Sequence, residues 1–121
     1  MKPTVLVPMV HVMSVARSIE FYQKLGFVAG NTMTEEDGHD PVWAWLDSDG
    51  AQLMLAQADE VVVASQQAVL FYLYCEDVAM MRQQLVAAGI DAGEVECPEY
   101  APQGEFRIED PDGYVLMVTH T

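Results

Sequence analysis

The sequence predicts an α+β fold built from two tandem modules, each with the element order βαβββ. The first observation is a pattern that occurs twice, as WAWLDSDGAQLML at residues 43–55 and FRIEDPDGYVLMV at residues 106–118. The second is that the two copies align without a gap, 63 residues apart, as Asp47 is from Asp110. The third is that the segments upstream align in the same register. A fixed offset that holds across turns, helix starts and apolar runs indicates an internal repeat.

Each copy of the pattern predicts a β-hairpin. An apolar run leads into an Asp-x-Asp-Gly turn and is followed by a second apolar run. Aspartate accepts local backbone hydrogen bonds and glycine adopts the positive φ that other residues avoid, so this composition is typical of a hairpin turn.

The remaining elements of the first module follow in order. Residues 4–12 are rich in β-branched and apolar side chains and predict a strand. Ser14 is a favoured N-cap for a helix over residues 15–25, and Gly26 stands where a C′ glycine is expected. Residues 27–34 predict a strand, 35–40 an acidic loop, and 42–46 with 52–57 the hairpin.

The second module repeats this order. Residues 69–75 predict a strand, Asp77 caps a helix over 78–88, and Gly89 ends it. A strand at 90–96, a loop at 97–103 and a hairpin of 105–108 with 114–119 complete it. We therefore expect a single domain made of a first module at 1–57, a linker at 58–68 and a second module at 69–121.

Charge and composition exclude several classes of protein. Five Lys and Arg oppose nineteen Asp and Glu among 121 residues, for a net charge of −14. This field repels nucleic acids and anionic membranes and attracts cations, although it could also serve only solubility. No apolar run is long enough to span a membrane, and no signal-peptide pattern is seen. Two cysteines without framework spacing predict reduced thiols in the cytoplasm.

Two segments resemble the vicinal oxygen chelate superfamily, which contains glyoxalases, extradiol dioxygenases, fosfomycin-resistance enzymes and bleomycin-resistance proteins. Residues 12–27, VMSVARSIEFYQKLGF, are similar to its first strand–helix unit, and residues 105–113, EFRIEDPDG, to its closing hairpin. The resemblance spans essentially the whole chain. It implies curved mixed sheets around a groove, with the helices outside.

The resemblance also implies where a divalent metal would bind. Its enzymes place His, Glu or Gln on the first and last strand of each module, positions held here by Val7, Met54, Leu70 and Met117. None offers a hard oxygen or an imidazole. We therefore expect no metal and no cofactor.

The function that this resemblance favours is binding rather than catalysis. The chain is closest in character to metal-free bleomycin-resistance-like proteins, which implies a homodimer that sequesters a small cationic or aromatic ligand, such as an antibiotic, in its groove. The alternative is a superfamily enzyme, metal-dependent or metal-free, of the glyoxalase-like lyase or ring-cleaving dioxygenase-like type. The sequence leaves catalysis open.

Strand alternation then selects the residues that face the groove. The expected ligand-binding residues are Met9, His11, Gln52, Met54, Tyr72, Tyr74, Tyr100, Glu105, Arg107 and Met117. His11 could equally be structural, the tyrosines could be packing, and Arg107 could simply balance the charge of Glu105 and Glu109. The orientation of Trp43 and Trp45 stays open: the repeat register places them with Phe106 and Ile108, toward the helices, and the alternative is that they face the groove.

Overall fold

The computed structural model describes all 121 residues and divides them into two compact units, Met1–Val62 and Val63–Thr121. The first unit contains β1 (Met9–Val12), α1 (Val15–Lys24), β2 (Val28–Thr34), β3 (Pro41–Ser48) and β4 (Ala51–Gln57). The second contains a 3-10 helix (Ala64–Gln66), β5 (Leu70–Cys75), α2 (Val78–Ala87), β6 (Glu105–Glu109) and β7 (Val115–His120). This composition confirms the predicted α+β class. No helix is both long enough and apolar enough to cross a membrane.

Each unit is one mixed sheet with one helix packed against it. The first sheet has the order β1-β4-β3-β2 and the second the order β5-β7-β6. β1 runs parallel to β4 and β5 parallel to β7, whereas the other pairs are antiparallel. Helix α1 packs against β2, β3 and β4, and α2 against β6 and β7.

The repeat is visible in how both helices begin and end. Ser14 accepts a hydrogen bond from the Arg17 amide at 3.2 Å, and Asp77 accepts one from the Met80 amide at 3.0 Å. At the other end, the glycines that follow the helices, Gly26 and Gly89, have φ of +100° and +88°. These are the N-caps and C′ glycines that the sequence predicts.

The core of each unit lies between the helix and one face of the sheet. Because strand residues alternate between faces, every second residue of β3, β4, β6 and β7 is buried there. The buried apolar residues of the first unit are Val10, Val12, Val15, Phe21, Tyr22, Leu25, Phe27, Ala44, Leu46, Leu53 and Leu55, and those of the second are Val78, Leu85, Ile90, Ala101, Phe106, Ile108, Tyr114, Leu116 and Val118.

The predicted strand at 90–96 is wrong. The segment touches β6 only through the Gly93 amide, which donates to the Arg107 carbonyl at 2.9 Å, and a single bridge between Glu96 and Glu105. The guanidinium of Arg82 on α2 binds the successive carbonyls of Ala92 and Gly93, at 3.2 and 2.8 Å. In a strand successive carbonyls point in opposite directions, so this pair of bonds is incompatible with a regular ladder.

The predicted first strand is also shorter than expected. The pattern at 4–12 indicates nine residues, but only Met9–Val12 pairs, in register with Met54–Gln57 of β4. Pro8 contributes its carbonyl to the Met54 amide at 2.9 Å and has no amide hydrogen of its own. Val7 therefore lies just outside the regular strand.

Candidate functional site

The sheet face of the first unit that points away from α1 carries both tryptophans. Pairing across the strands aligns Met9, Met54 and Trp45 in one row, and His11, Ala56 and Trp43 in the next. Residues paired across a sheet share a face. We call this set the tryptophan face: Met9, His11, Trp43, Trp45, Met54 and Ala56, with Gln52 and Asp47 paired toward the turn.

The structure decides the orientation of Trp43 and Trp45, which the sequence leaves open, and it does so against the repeat register. Ala44 and Leu46, the alternate residues of β3, are fully buried, while the two tryptophans are half-buried on the opposite face. The repeat alignment fails here because the two turns differ in length. A two-residue turn at Asp49-Gly50 pairs Ser48 with Ala51, whereas five residues separate Glu109 from Val115 in the second hairpin.

Because the turns differ in length, β3 pairs with β4 in a register one residue away from that of β6 with β7. A shift of one residue sends every side chain of a strand to the other face. Phe106 and Ile108 are buried against α2, as expected, but their repeat equivalents Trp43 and Trp45 are not. An Asp-Gly pair is typical of a two-residue turn, but it occurs in both hairpins, as Asp49-Gly50 and Asp112-Gly113, so it does not distinguish the two registers.

Polar contacts orient the tryptophan face. The Trp45 indole nitrogen donates to Oδ2 of Asp47 at 2.7 Å, which fixes one edge of the ring. Met9 on the neighbouring row is 47% exposed. Thioethers are flexible and polarizable and contact aromatic rings favourably. The face thus offers one anchored indole ring, that of Trp45, beside adaptable apolar side chains.

The corresponding face of the second unit carries tyrosines and charged residues. Tyr74, Thr119 and Glu105 form one row and Tyr72, Met117 and Arg107 the next. The ring centroids of Tyr72 and Tyr74 lie 6.4 Å apart at 32°, and the side chains are 43% and 65% exposed. We call this set, with the Tyr100 side chain that bonds to it, the tyrosine face.

Glu105 is the unusual member of the tyrosine face, because it is charged and only 5% exposed. Its Oε1 accepts a hydrogen bond from the Tyr100 hydroxyl at 2.7 Å. That hydrogen bond, reinforced by the charge of Glu105, raises the pKa of Tyr100 to about 12. The phenol therefore stays a proton donor throughout the physiological range of pH.

Arg107 does not neutralise Glu105. Its Nη2 lies 2.8 Å from Oε1 of Glu109, two residues along the same strand, and both side chains are more than half exposed. An exposed ion pair of this kind contributes little to stability, typically about 0–1 kcal/mol. The prediction that Arg107 balances both glutamates thus holds for Glu109 only.

The predicted site residues divide between the units. Met9, His11, Gln52 and Met54 lie on the tryptophan face; Tyr72, Tyr74, Glu105, Arg107 and Met117 lie on the tyrosine face, and Tyr100 joins it through its hydroxyl. Their role in binding stays a prediction. The residues that sequence reasoning missed are Trp43 and Trp45.

The donor set does not fit the divalent metal that the resemblance implies. Met54 and Met117 lie on the two faces, Leu70 begins β5 and Val7 precedes β1. None of these side chains is a ligand for a hard or borderline divalent ion. No group of three or more His, Cys, Asp or Glu is placed to hold one.

Comparison with known proteins agrees with this architecture. A family model described as the glyoxalase/bleomycin resistance protein/dioxygenase superfamily matches residues 5–118. No curated protein matches the chain. Among solved structures, the bleomycin resistance determinant encoded on transposon Tn5 is 17% identical, with a TM-score of 0.75 and 98% of both chains covered.

Two further structures are similar over their whole length. A bleomycin-binding protein in complex with bleomycin is 18% identical, with a TM-score of 0.74 and coverage of 98% of this chain and 99% of that one. The bleomycin-binding protein of bleomycin-producing Streptomyces verticillus, complexed with copper(II)-bleomycin, is 16% identical, with a TM-score of 0.72 and coverage of 100% and 98%. At these identities the likeness shows a shared fold.

Proposed function

The chain belongs to the glyoxalase/bleomycin resistance protein/dioxygenase superfamily, as its sequence resemblance predicted, and on that premise we propose that it binds and sequesters a small, flat, cationic molecule. Bleomycin, a glycopeptide antibiotic, is the ligand of two similar structures. An antibiotic is therefore the first class of ligand to test, and antibiotic resistance the physiological role that such binding would serve.

The observation that carries this proposal is the character of the two faces opposite the helices. A sheet face turned to solvent is usually polar, yet these present Trp43, Trp45, Tyr72 and Tyr74 with methionines beside them. Contiguous exposed apolar surface of this kind is typical of a binding site. Flat rings stack on planar ligands, and methionine adapts to their outline.

The charge of the chain supports a cationic ligand. A net charge of −14 attracts positive molecules over about 8–10 Å at physiological salt. Aromatic faces bind cations as well as planar groups. A ligand that is both flat and positive would use both features.

The assembly and the compartment belong to the same proposal. Two copies of the chain would cover the exposed apolar side chains Met9, Leu70, Tyr72 and Tyr74, which supports a homodimer. Both cysteines are free, and burial raises the pKa of the Cys75 thiol. Free thiols favour the reducing cytoplasm.

The test is a calorimetric titration of bleomycin, and of simple aromatic amines, into the wild type and variants. Trp45→Ala should weaken a ligand held on the tryptophan face, and Tyr74→Ala one held on the tyrosine face, by roughly 1–3 kcal/mol, the range for losing a buried anchor. Met80→Ala, an exposed methionine on α2, is the matched control and should leave affinity unchanged. Raising the salt concentration should weaken the binding of a cationic ligand, because salt screens the field of the chain.

Affinity that ignores both aromatic substitutions would show that neither face binds the ligand. If affinity is also independent of salt concentration, the negative charge of the chain serves solubility and not binding.

A further inference from the structure

The second unit contains a buried carboxylate, that of Glu105, of which only one oxygen accepts a hydrogen bond from the chain. Glu105 Oε1 accepts the hydroxyl of Tyr100, but no group of the protein donates to Oε2. A carboxylate has about four acceptor positions, and leaving a buried one unpaired is costly. A donor from outside the chain, from water or from a ligand, would complete it.

The neighbouring side chains that could supply a donor are engaged elsewhere. Arg107, next but one on the same strand, pairs with Glu109. The hydroxyl of Thr119, the cross-strand partner of Glu105, points to the Gly104 carbonyl at 3.4 Å. Glu105 therefore has no cationic partner in this chain.

Aromatic side chains surround Glu105, and one of them, Tyr100, is exposed enough to move. Tyr74 continues its row on β5, and Tyr72 stands in the next row. Tyr72 also acts electrostatically on the Tyr100 hydroxyl, so the two phenols are neighbours. The Tyr100 side chain is 72% exposed, so its hydroxyl holds the carboxylate while its ring is not packed in the core.

We propose that Glu105 receives a protonated amine or guanidinium of the ligand, with Tyr100 as a displaceable cover and Tyr72 and Tyr74 as aromatic walls. Rotation of the exposed Tyr100 side chain opens the carboxylate, and the nitrogen–hydrogen groups of the cation bind both oxygens. A charge-assisted pair of this kind is stronger than a neutral hydrogen bond and gains from flanking rings. This inference rests on the proposed function, because it names the subsite that makes the ligand cationic.

Benzamidine and benzamide are suitable probes, because they are similar in shape and differ in charge. Each is titrated into wild type, Glu105→Gln and Glu109→Gln and followed by amide chemical shifts. Glutamine keeps the shape of the side chain and can still accept the Tyr100 hydroxyl. We expect Glu105→Gln to weaken benzamidine roughly tenfold or more and to leave benzamide unchanged.

Glu109→Gln is the matched control, since it removes the same charge from the same strand and face. It should change the binding of neither probe. Equal weakening by both substitutions would mean that only net charge matters, and it would overturn the assignment of Glu105.

A second variant tests the proposal even if Glu105→Gln does not fold. Tyr100→Phe retains the ring but loses the hydrogen bond that holds the cover in place, so benzamidine should bind roughly 2- to 10-fold more tightly. Unchanged or weaker binding would overturn the proposal. If wild type binds benzamidine in preference to benzamide but Glu105→Gln leaves that preference unchanged, the inference fails and the proposed function survives; if wild type binds neither probe nor any antibiotic, both fail.

Discussion

Gly50 and Gly113 occupy equivalent positions in the two hairpin turns, yet alanine should have different consequences at each. Both have a positive φ, +94° and +89°, which favours glycine. A Cβ added at Gly50 meets no atom within 4 Å. One added at Gly113 overlaps the Cβ of Ala64 and lies 3.3 Å from its Cα. Ala64 begins the 3-10 helix that precedes β5, so this helix closes over the second turn.

The expected magnitudes follow from these two costs. The left-handed backbone conformation costs alanine about 1–2 kcal/mol at either position. Overlap with Ala64 adds the cost of overpacking, typically about 1–3 kcal/mol. Gly50→Ala should therefore lower the free energy of unfolding by roughly 1–2 kcal/mol and Gly113→Ala by roughly 2–5 kcal/mol.

Urea denaturation followed by far-ultraviolet circular dichroism measures both changes. Tryptophan fluorescence is unsuitable, because both tryptophans lie in the first unit and Gly113 in the second. Ala64→Gly in the Gly113→Ala background removes the overlapping atom and should recover most of the additional loss. The double-mutant cycle then isolates the contact between the turn and the 3-10 helix.

The reasoning is refuted if Gly113→Ala costs no more than Gly50→Ala. It is equally refuted if the coupling between positions 64 and 113 is zero, because the extra cost would then not arise from this contact.

Three further predictions concern ionisation, metals and assembly. Ultraviolet titration should find one tyrosine with a pKa of about 12, and Glu105→Gln should bring it down toward the usual value of about 10. Because the folded pKa is the higher one, the stabilising contribution of this pair is complete below about pH 10 and is lost as the pH rises through about 12; a flat stability curve in that window would contradict it. Elemental analysis should find no stoichiometric Zn, Mn, Ni or Fe; about one metal per chain, lost in His11→Ala, would revive the lyase alternative. Light scattering at micromolar concentration should give the mass of a dimer, and a monomer mass would remove the homodimer from the proposal.

Much of the candidate site could be predicted from the sequence, because its main determinants are local. Pairing brings Met9 to Met54 and Tyr72 to Met117, as strand alternation within each module predicts. The burial of the Glu105 side chain could not be predicted from the sequence. Its burial and its bond to Tyr100 depend on how the loop before β6 folds back, and alternation alone cannot distinguish a solvated glutamate from a buried one.

The sequence by itself determined the repeat, both helices with their caps, and the α+β class, since short-range hydrogen bonds and the φ of single glycines decide these features. Only the tertiary structure decided the number of strands and the orientation of the tryptophans. The carbonyls at 92 and 93 both bind Arg82, on a helix ten residues away along the chain, an arrangement that a regular fourth strand would not allow. Trp43 and Trp45 face away from α1 because a two-residue turn sets the register of β3, while the equivalent turn closes over five residues. Register is a property of two paired strands, so a repeat in one strand does not fix it.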